Sequence, residues 1–346
     1  MIKTFWMIVL AVVFFMAGCM NNEEITPPAE DIQTIIQQYS DQLITDRIEI
    51  QNSRAMMAMG TYYTIASNSF PVPIDLKVDN LSFYYASMRK MEGNAGSQGF
   101  DFTGRLGIYN WNADLQQFVR SDGEANYIRL DFPAESGGQE NNASLRINKY
   151  AEILLAEGSA LQVTSLQMEL TIDDMLEMSI NYEADFDDAG NPLNLDVHIL
   201  VNPFELSLDL VQSNGVIQIN STWKKQLEPI LSSYFLIARN NINFMPYEGF
   251  AFTGKTSGYI KYREIKLDGS FDFSATEIEK DDKRMAVQMA LYKGSRKLGR
   301  LYIDFQTEGD RVIPGTIKYF IDLENNSRIP ADGLVKPLLD GFNNLI

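Results

Sequence analysis

From Leu161 onward, apolar and polar residues alternate one by one, and no other feature limits the possible folds of this chain so strongly. In "MLEMSINYEADF", Leu176, Met178, Ile180, Tyr182, Ala184 and Phe186 fall on one side of an extended backbone, with Glu177, Ser179, Asn181, Glu183 and Asp185 on the other. A period of two belongs to strands buried on one face, because successive side chains point to opposite sides of the pleat. "LNLDVHILV" and "FELSLDL" repeat it with Leu195, Val197, Ile199 and Val201, then Phe204, Leu206, Leu208 and Leu210. "DDAGNP" lies between the first two and is rich in turn formers. Connections this short join antiparallel neighbours, since a parallel crossover needs about a dozen residues.

Helical spacing occurs in four places. "ITPPAEDIQTIIQQYSDQLI" offers Thr26 as a cap and Pro27 pre-set for a first turn, followed by a stripe of Ile32, Ile35, Ile36, Tyr39 and Leu43. The Met-rich "SRAMMAMGTYYTI" continues it with breaks, and methionines at such spacing are adaptable core filling. "STWKKQLEPILSSYFLIARNN" places Trp223, Leu227, Ile230, Leu231, Tyr234, Phe235 and Ala238 along one helical face, with Pro229 marking a start or kink. Leu334, Val335, Leu338, Leu339 and Phe342 form a short amphipathic helix that caps a sheet. The expected class is α+β, with predominantly antiparallel β-sheets, an N-terminal helix and a short C-terminal helix.

"GFDFTG" at 99–104 and "GFAFTG" at 249–254 agree at five of six positions. The same offset of 150 aligns Tyr84 with Tyr234 and Arg89 with Arg239. The alternating Phe100/Phe102 and Phe250/Phe252 read as strand starts, each ending in a Gly that bends or pairs tightly. An internal duplication follows, with two related curved-sheet lobes at 31–215 (including the N-terminal helix) and 216–346, which pack side by side or as one domain. A seam between such lobes forms a cleft. Tyr84, Phe102, Tyr234 and Phe252 are its candidate ligand contacts, against the plainer reading that all four are core.

The only cysteine follows an apolar run from Phe5 to Met16, itself preceded by Lys3. That run is too short for the roughly 20 residues a spanning helix needs, and it has the length of a secretory signal. Met16-Ala17-Gly18-Cys19 resembles the lipobox of bacterial lipoproteins, with Met16 in place of the usual Leu. The resemblance implies alkylation of the Cys19 thiol with diacylglycerol, cleavage before it and acylation of the new amine. Residues 1–18 are then a signal peptide, 19–30 a lipidated tether, and the membrane a partner through the anchor. Two or three acyl chains hold durably where one holds marginally. The residue after Cys19 is Met20 rather than aspartate, which resembles outer-membrane sorting, and Glu23-Glu24 resembles the acidic tags of surface lipoproteins. The outer membrane is the expected location, on its periplasmic face or at the cell surface.

The remaining chemistry is mostly subtractive. Twenty-nine Lys and Arg face 46 Asp and Glu, a net charge of -17, with no run of more than two basic residues, so nucleic acid is not an expected partner. His198 is the single histidine, and with Val197 and Ile199 on the buried side of its strand it faces solvent. One histidine and one committed cysteine leave triads and His-rich metal sites without parts, so no cofactor and no metal is expected. Asp185, Asp187 and Gly190 resemble the opening of a calcium loop, but Ala189 and Asp196 stand where ligands belong, and a hairpin explains them better. The leading expectation is a non-enzymatic binding or carrier module for an apolar or lipid-like ligand. Its architecture alone resembles the lipid-carrying half-barrels of periplasmic lipoprotein carriers. The alternative is a structural or adhesion lipoprotein binding protein or glycan, with a carboxylate-based hydrolase third.

Overall fold

The computed structural model describes residues 29–65, 70, 72, 99–121, 123–154, 161–188, 192–238, 255–272, 287–304, 307–308, 311–312 and 318–343. Helix α1 spans Ala29–Gln51 and α2 Arg54–Ile65, then eighteen strands follow before α3 at Asp332–Asn343. The strands are β1 (Gly107–Asn112), β2 (Gln117–Arg120), β3 (Ile128–Phe132), β4 (Ala143–Leu154), β5 (Leu161–Ile172) and β6 (Met175–Phe186). Next come β7 (Pro192–Val201), β8 (Phe204–Ser213), β9 (Val216–Lys225), β10 (Glu228–Ala238), β11 (Lys255–Tyr262) and β12 (Ile265–Asp272). The last are β13 (Val287–Lys293), β14 (Arg296–Asp304), β15 (Thr307–Glu308), β16 (Arg311–Val312), β17 (Lys318–Asp322) and β18 (Arg328–Pro330).

Sixteen of these join one continuous sheet, which runs in chain order from β3 to β14, with β17 and β18 added at one end and β1 and β2 at the other. Every pairing is antiparallel except β1 with β3. The meander expected from the alternation is therefore present. The two related lobes expected from the repeat are not separate sheets: residues 215 and 216 lie at the tight turn between fully paired β8 and β9. Asn214 and Gly215 make that turn with φ of 51° and 76°, the left-handed pair that suits the twist of a two-residue hairpin.

Three local expectations are corrected. The segment 221–241 is not a helix; its residues through Ala238 are the end of β9, a turn at Gln226 and Leu227, and β10. The register with β9 shifts between Pro229 and Leu231, and this one-residue bulge breaks the period of two so that the apolar positions fall at helical spacing. In β6 a register shift against β5 brings Glu177 inward and leaves Leu176 exposed, the reverse of simple alternation at the strand's start. Phe102-Thr103-Gly104-Arg105 forms a 3-10 turn before β1 rather than a strand, and its repeat at 249–254 lies outside the described residues.

Glycine permits the close approach of the central strands. Gly258 and Gly269 face each other in β11 and β12, with φ of +158° and +147°. A Cβ on Gly258 would sit 2.0 Å from the Tyr234 carbonyl oxygen, and one on Gly269 2.1 Å from that of Gln288. Only a residue without a side chain lets the backbone take this path, and such glycines bend a sheet.

The inner face is apolar from β3 to β17: Ile128, Leu145, Met168, Ile180, Val197, Leu208, Ile219, Phe235, Ile260, Leu267, Leu291, Leu301 and Ile321 are all buried. Ile32, Ile36, Tyr39, Leu43 and Ile50 of α1 join the same core. Successive hairpins alternate ends, so the turns β5–β6, β7–β8, β9–β10, β11–β12 and β13–β14 share one end of the sheet. Helix α1 crosses the strands near that end. Tyr39 reaches Glu264 after β11, Glu49 reaches Lys225 of β9, and Arg54, opening α2, reaches Asp173 and Glu177 at β5–β6. Helix α2 buries Ala55, Met56, Ala58, Met59 and Tyr62, so the methionine stripe is core. Helix α3 buries Leu334, Val335 and Leu338 and packs against α1 and β17, and Asp332 accepts the Tyr319 amide.

Candidate functional site

A carboxylate interrupts the buried stripe of α1. Asp46 follows Leu43 by three residues and precedes Ile50 by four, so helical geometry drives it into the core, where only 3% of it is exposed. Tyr262, fully buried at the end of β11, donates its hydroxyl to Asp46 Oδ2 at 2.7 Å, and Arg263 in the following turn donates Nη2 to the same oxygen at 2.8 Å. Burial first, then the Asp46 bond, pushes the Tyr262 phenol well above its ordinary value. Burial alone would lower the Arg263 guanidinium, but its bonds to Tyr262 and Asp46 outweigh that and raise it.

Beside this tie lies an open groove of about 550 Å³, lined by Gln38, Asp41, Gln42, Thr45 and Asp46 of α1 and by Lys225 and Arg263 of the hairpin turns. Lys225 donates to Glu49 at 2.6 Å, and Gln37 donates to Asp41 at 2.9 Å. The Gln42 side-chain oxygen is buried and accepts no hydrogen bond from the described residues. Further along the seam, Arg54 bridges Asp173 and Glu177 at 2.5 and 3.0 Å. The Asn142 and Arg54 bonds hold Asp173 below the usual carboxylate range. The groove thus combines amide, hydroxyl, carboxylate and cationic groups along the seam between α1 and the sheet.

The sequence-predicted contacts do not converge on it. Cys19, Tyr84 and Phe252 lie outside the described residues. Phe102 packs partly buried against the core, its ring 6.5 Å from Tyr150. Tyr234 projects from the opposite, outer face of β10, its ring 6.4 Å from Tyr259. The two described members therefore lie on opposite sides of the sheet. His198 is on the outer face and exposed, its Nε2 3.1 Å from Asp196, in a shallow depression of about 310 Å³ with Ser179, Ser207 and Thr222. Asp185 and Asp196 stand on adjacent paired strands rather than around one loop. Among the described residues no group of three or more His, Cys, Asp or Glu is placed to hold a metal.

Sequence reading missed Asp46, Tyr262 and Arg263. The available signal was the continuation of the stripe past Leu43: a carboxylate where an apolar residue belongs. No protein-family model, no curated protein and no solved structure matches the chain.

Proposed function

We propose that this protein is a non-enzymatic carrier or binding module for a lipid-like amphiphile, tethered to the outer membrane through Cys19. The polar end of the ligand occupies the groove at Gln42, Lys225 and Arg263, and its apolar portion enters by parting Ile36, Tyr39 and Leu43 of α1 from the core in which they pack. The buried Gln42 oxygen, which accepts no hydrogen bond from the described residues at the seam between α1 and the sheet, carries this reading. Along this flank Lys225 of β9 and Arg54 of α2 make partly exposed ion pairs, and exposed pairs are worth little, a median of about 0–1 kcal/mol each, so the buried Asp46 tie is the main polar hold that ligand entry must loosen.

Mass spectrometry of the full-length protein purified from envelopes tests the proposal. A single class of amphiphile recovered in stoichiometric amount, and depleted several-fold in Gln42→Leu, is the expected result. A ligand-free protein, or equal recovery from the variant, overturns it. Metabolic labelling with palmitate tests the tether separately: Cys19→Ser abolishes incorporation, and persistent labelling refutes the anchor.

A further inference from the structure

The outer face of the sheet is divided by charge. Glu169, Glu183, Asp185, Asp196 and Asp209 occupy the outward positions of β5 to β8, as expected of a chain with a net charge of -17. Across β11 to β14 the sign reverses. Lys261 stands directly opposite Lys266, Lys266 opposite Tyr292, and Tyr292 opposite Lys297, forming one lateral row over four adjacent strands. The neighbouring row holds Tyr234, Tyr259, Asp268, Ala290 and Arg300. The two rows carry four cations and one carboxylate, and that carboxylate, Asp268, is taken by Lys266 at 2.6 Å.

Like charges directly opposite on one face cost stability, and Lys261 against Lys266 is such a pair. Among the described residues Lys261, Lys297 and Arg300 have no ion-pair partner; Arg300 stands opposite Asp322 of β17, itself held by Arg328, and neither Lys261 nor Lys297 has a carboxylate directly across its ladder. Aromatic rings lie among them. Tyr234 and Tyr259 are inclined by only 30°, and the Lys266 ammonium is 4.7 Å from the Tyr259 centroid.

We infer that this outer patch binds an anionic polysaccharide, with sugar rings stacking on Tyr234, Tyr259 and Tyr292 and acidic substituents meeting Lys261, Lys297 and Arg300. Lys261 and Lys297 stand three strand spacings, about 14 Å, apart. A polyuronate bearing one charge on every sugar, or every second, matches that sparse row. A nucleic acid duplex presents a charge about every 1.7 Å and needs a denser and longer basic field. A bilayer surface is met by apolar side chains that project into it, whereas these rings are half-buried along the sheet. The patch is on the face opposite the groove, so the inference stands apart from the ligand proposed there.

Affinity electrophoresis of the full chain through gels containing polygalacturonate, with dextran as the neutral control, tests it. Retardation by polygalacturonate alone, abolished in high salt, is expected. Lys261→Gln with Lys297→Gln weakens binding at least tenfold, Tyr259→Ala weakens it severalfold, and Asp209→Asn on the acidic half leaves it unweakened. Tyr259→Phe, which keeps the ring and the fold, retains binding. Failure of polygalacturonate to retard the protein overturns the inference. So do tighter binding to a single-stranded oligonucleotide or to phosphatidylglycerol vesicles, and insensitivity to the double lysine variant.

Discussion

Replacing Asp46 with alanine probes the tie between α1 and the turn after β11 more directly than any other change. The substitution removes the acceptor of two hydrogen bonds, from the Tyr262 hydroxyl at 2.7 Å and from Arg263 at 2.8 Å. Tyr262 is fully buried, so its hydroxyl loses an acceptor it cannot replace from solvent, at a cost of about 1–3 kcal/mol. Arg263 keeps 26% of its side chain exposed and rehydrates in part, so its loss is well below the 3–5 kcal/mol of a fully buried broken pair. Together the expected destabilisation is about 2–4 kcal/mol. Urea unfolding followed by tryptophan fluorescence reads this as a midpoint lower by about 1 M, taking a slope near 3 kcal/mol/M. Tyr262→Phe removes one donor yet leaves Asp46 bonded to Arg263, for a loss of about 1 kcal/mol. The double variant Asp46→Ala with Tyr262→Phe should cost less than the sum, because the phenylalanine has no hydroxyl to strand. An Asp46→Ala loss under about 1 kcal/mol, or strict additivity with Tyr262→Phe, refutes the reasoning that this carboxylate is a structural tie.

Other changes test separate parts of the interior. Ser221 and Ser233 share a buried hydrogen bond at 2.7 Å on the inner face of β9 and β10, so Ser221→Ala alone should cost about 1–2 kcal/mol and the double alanine variant less, measured by urea denaturation. Gly258→Ala places a methyl against the Tyr234 carbonyl, where a Cβ has 2.0 Å of space, and should lower stability by about 3 kcal/mol or prevent folding, read by thermal melting. The lowered value of Asp173 means the folded chain holds that proton less tightly than the unfolded chain does. Its contribution is therefore present above about pH 4 and lost as pH falls through the depressed folded value, so Asp173→Asn should flatten the acid limb of a stability–pH curve.

The strands of β6 to β8 are legible in the sequence because each is buried on one face only, so the pleat is printed as alternation through Tyr182, Val197 and Leu208. The same rule explains its failure in β10. Pro229 offers no amide to a ladder, and the register slips beside it between Pro229 and Leu231. Beyond that slip the inward residues change parity, and Ile230 and Ser233 are both buried where strict alternation permits only one. A bulge depends on the neighbouring strand as well as its own residues, and a window along one strand contains no trace of the partner.

Asp46 was missed although it left a local signal. Its position on the α1 stripe is a local fact, fixed by spacing from Leu43 and Ile50, and a carboxylate there demands donors from elsewhere in the fold. The donors themselves, Tyr262 and Arg263, lie more than two hundred residues away and appear in sequence as the unremarkable end of a strand and its turn. The outer patch shows the same limit. Lys261, Lys266 and Lys297 are dispersed along the chain, and no basic run announces them. Only the pairing of β11 with β12, and of β13 with β14, sets them side by side in one row. A net charge of -17 argues soundly about the average field of this molecule, yet antiparallel register decides the sign of each face, and here it concentrates three cations that have no ion-pair partner among the described residues beside three tyrosines.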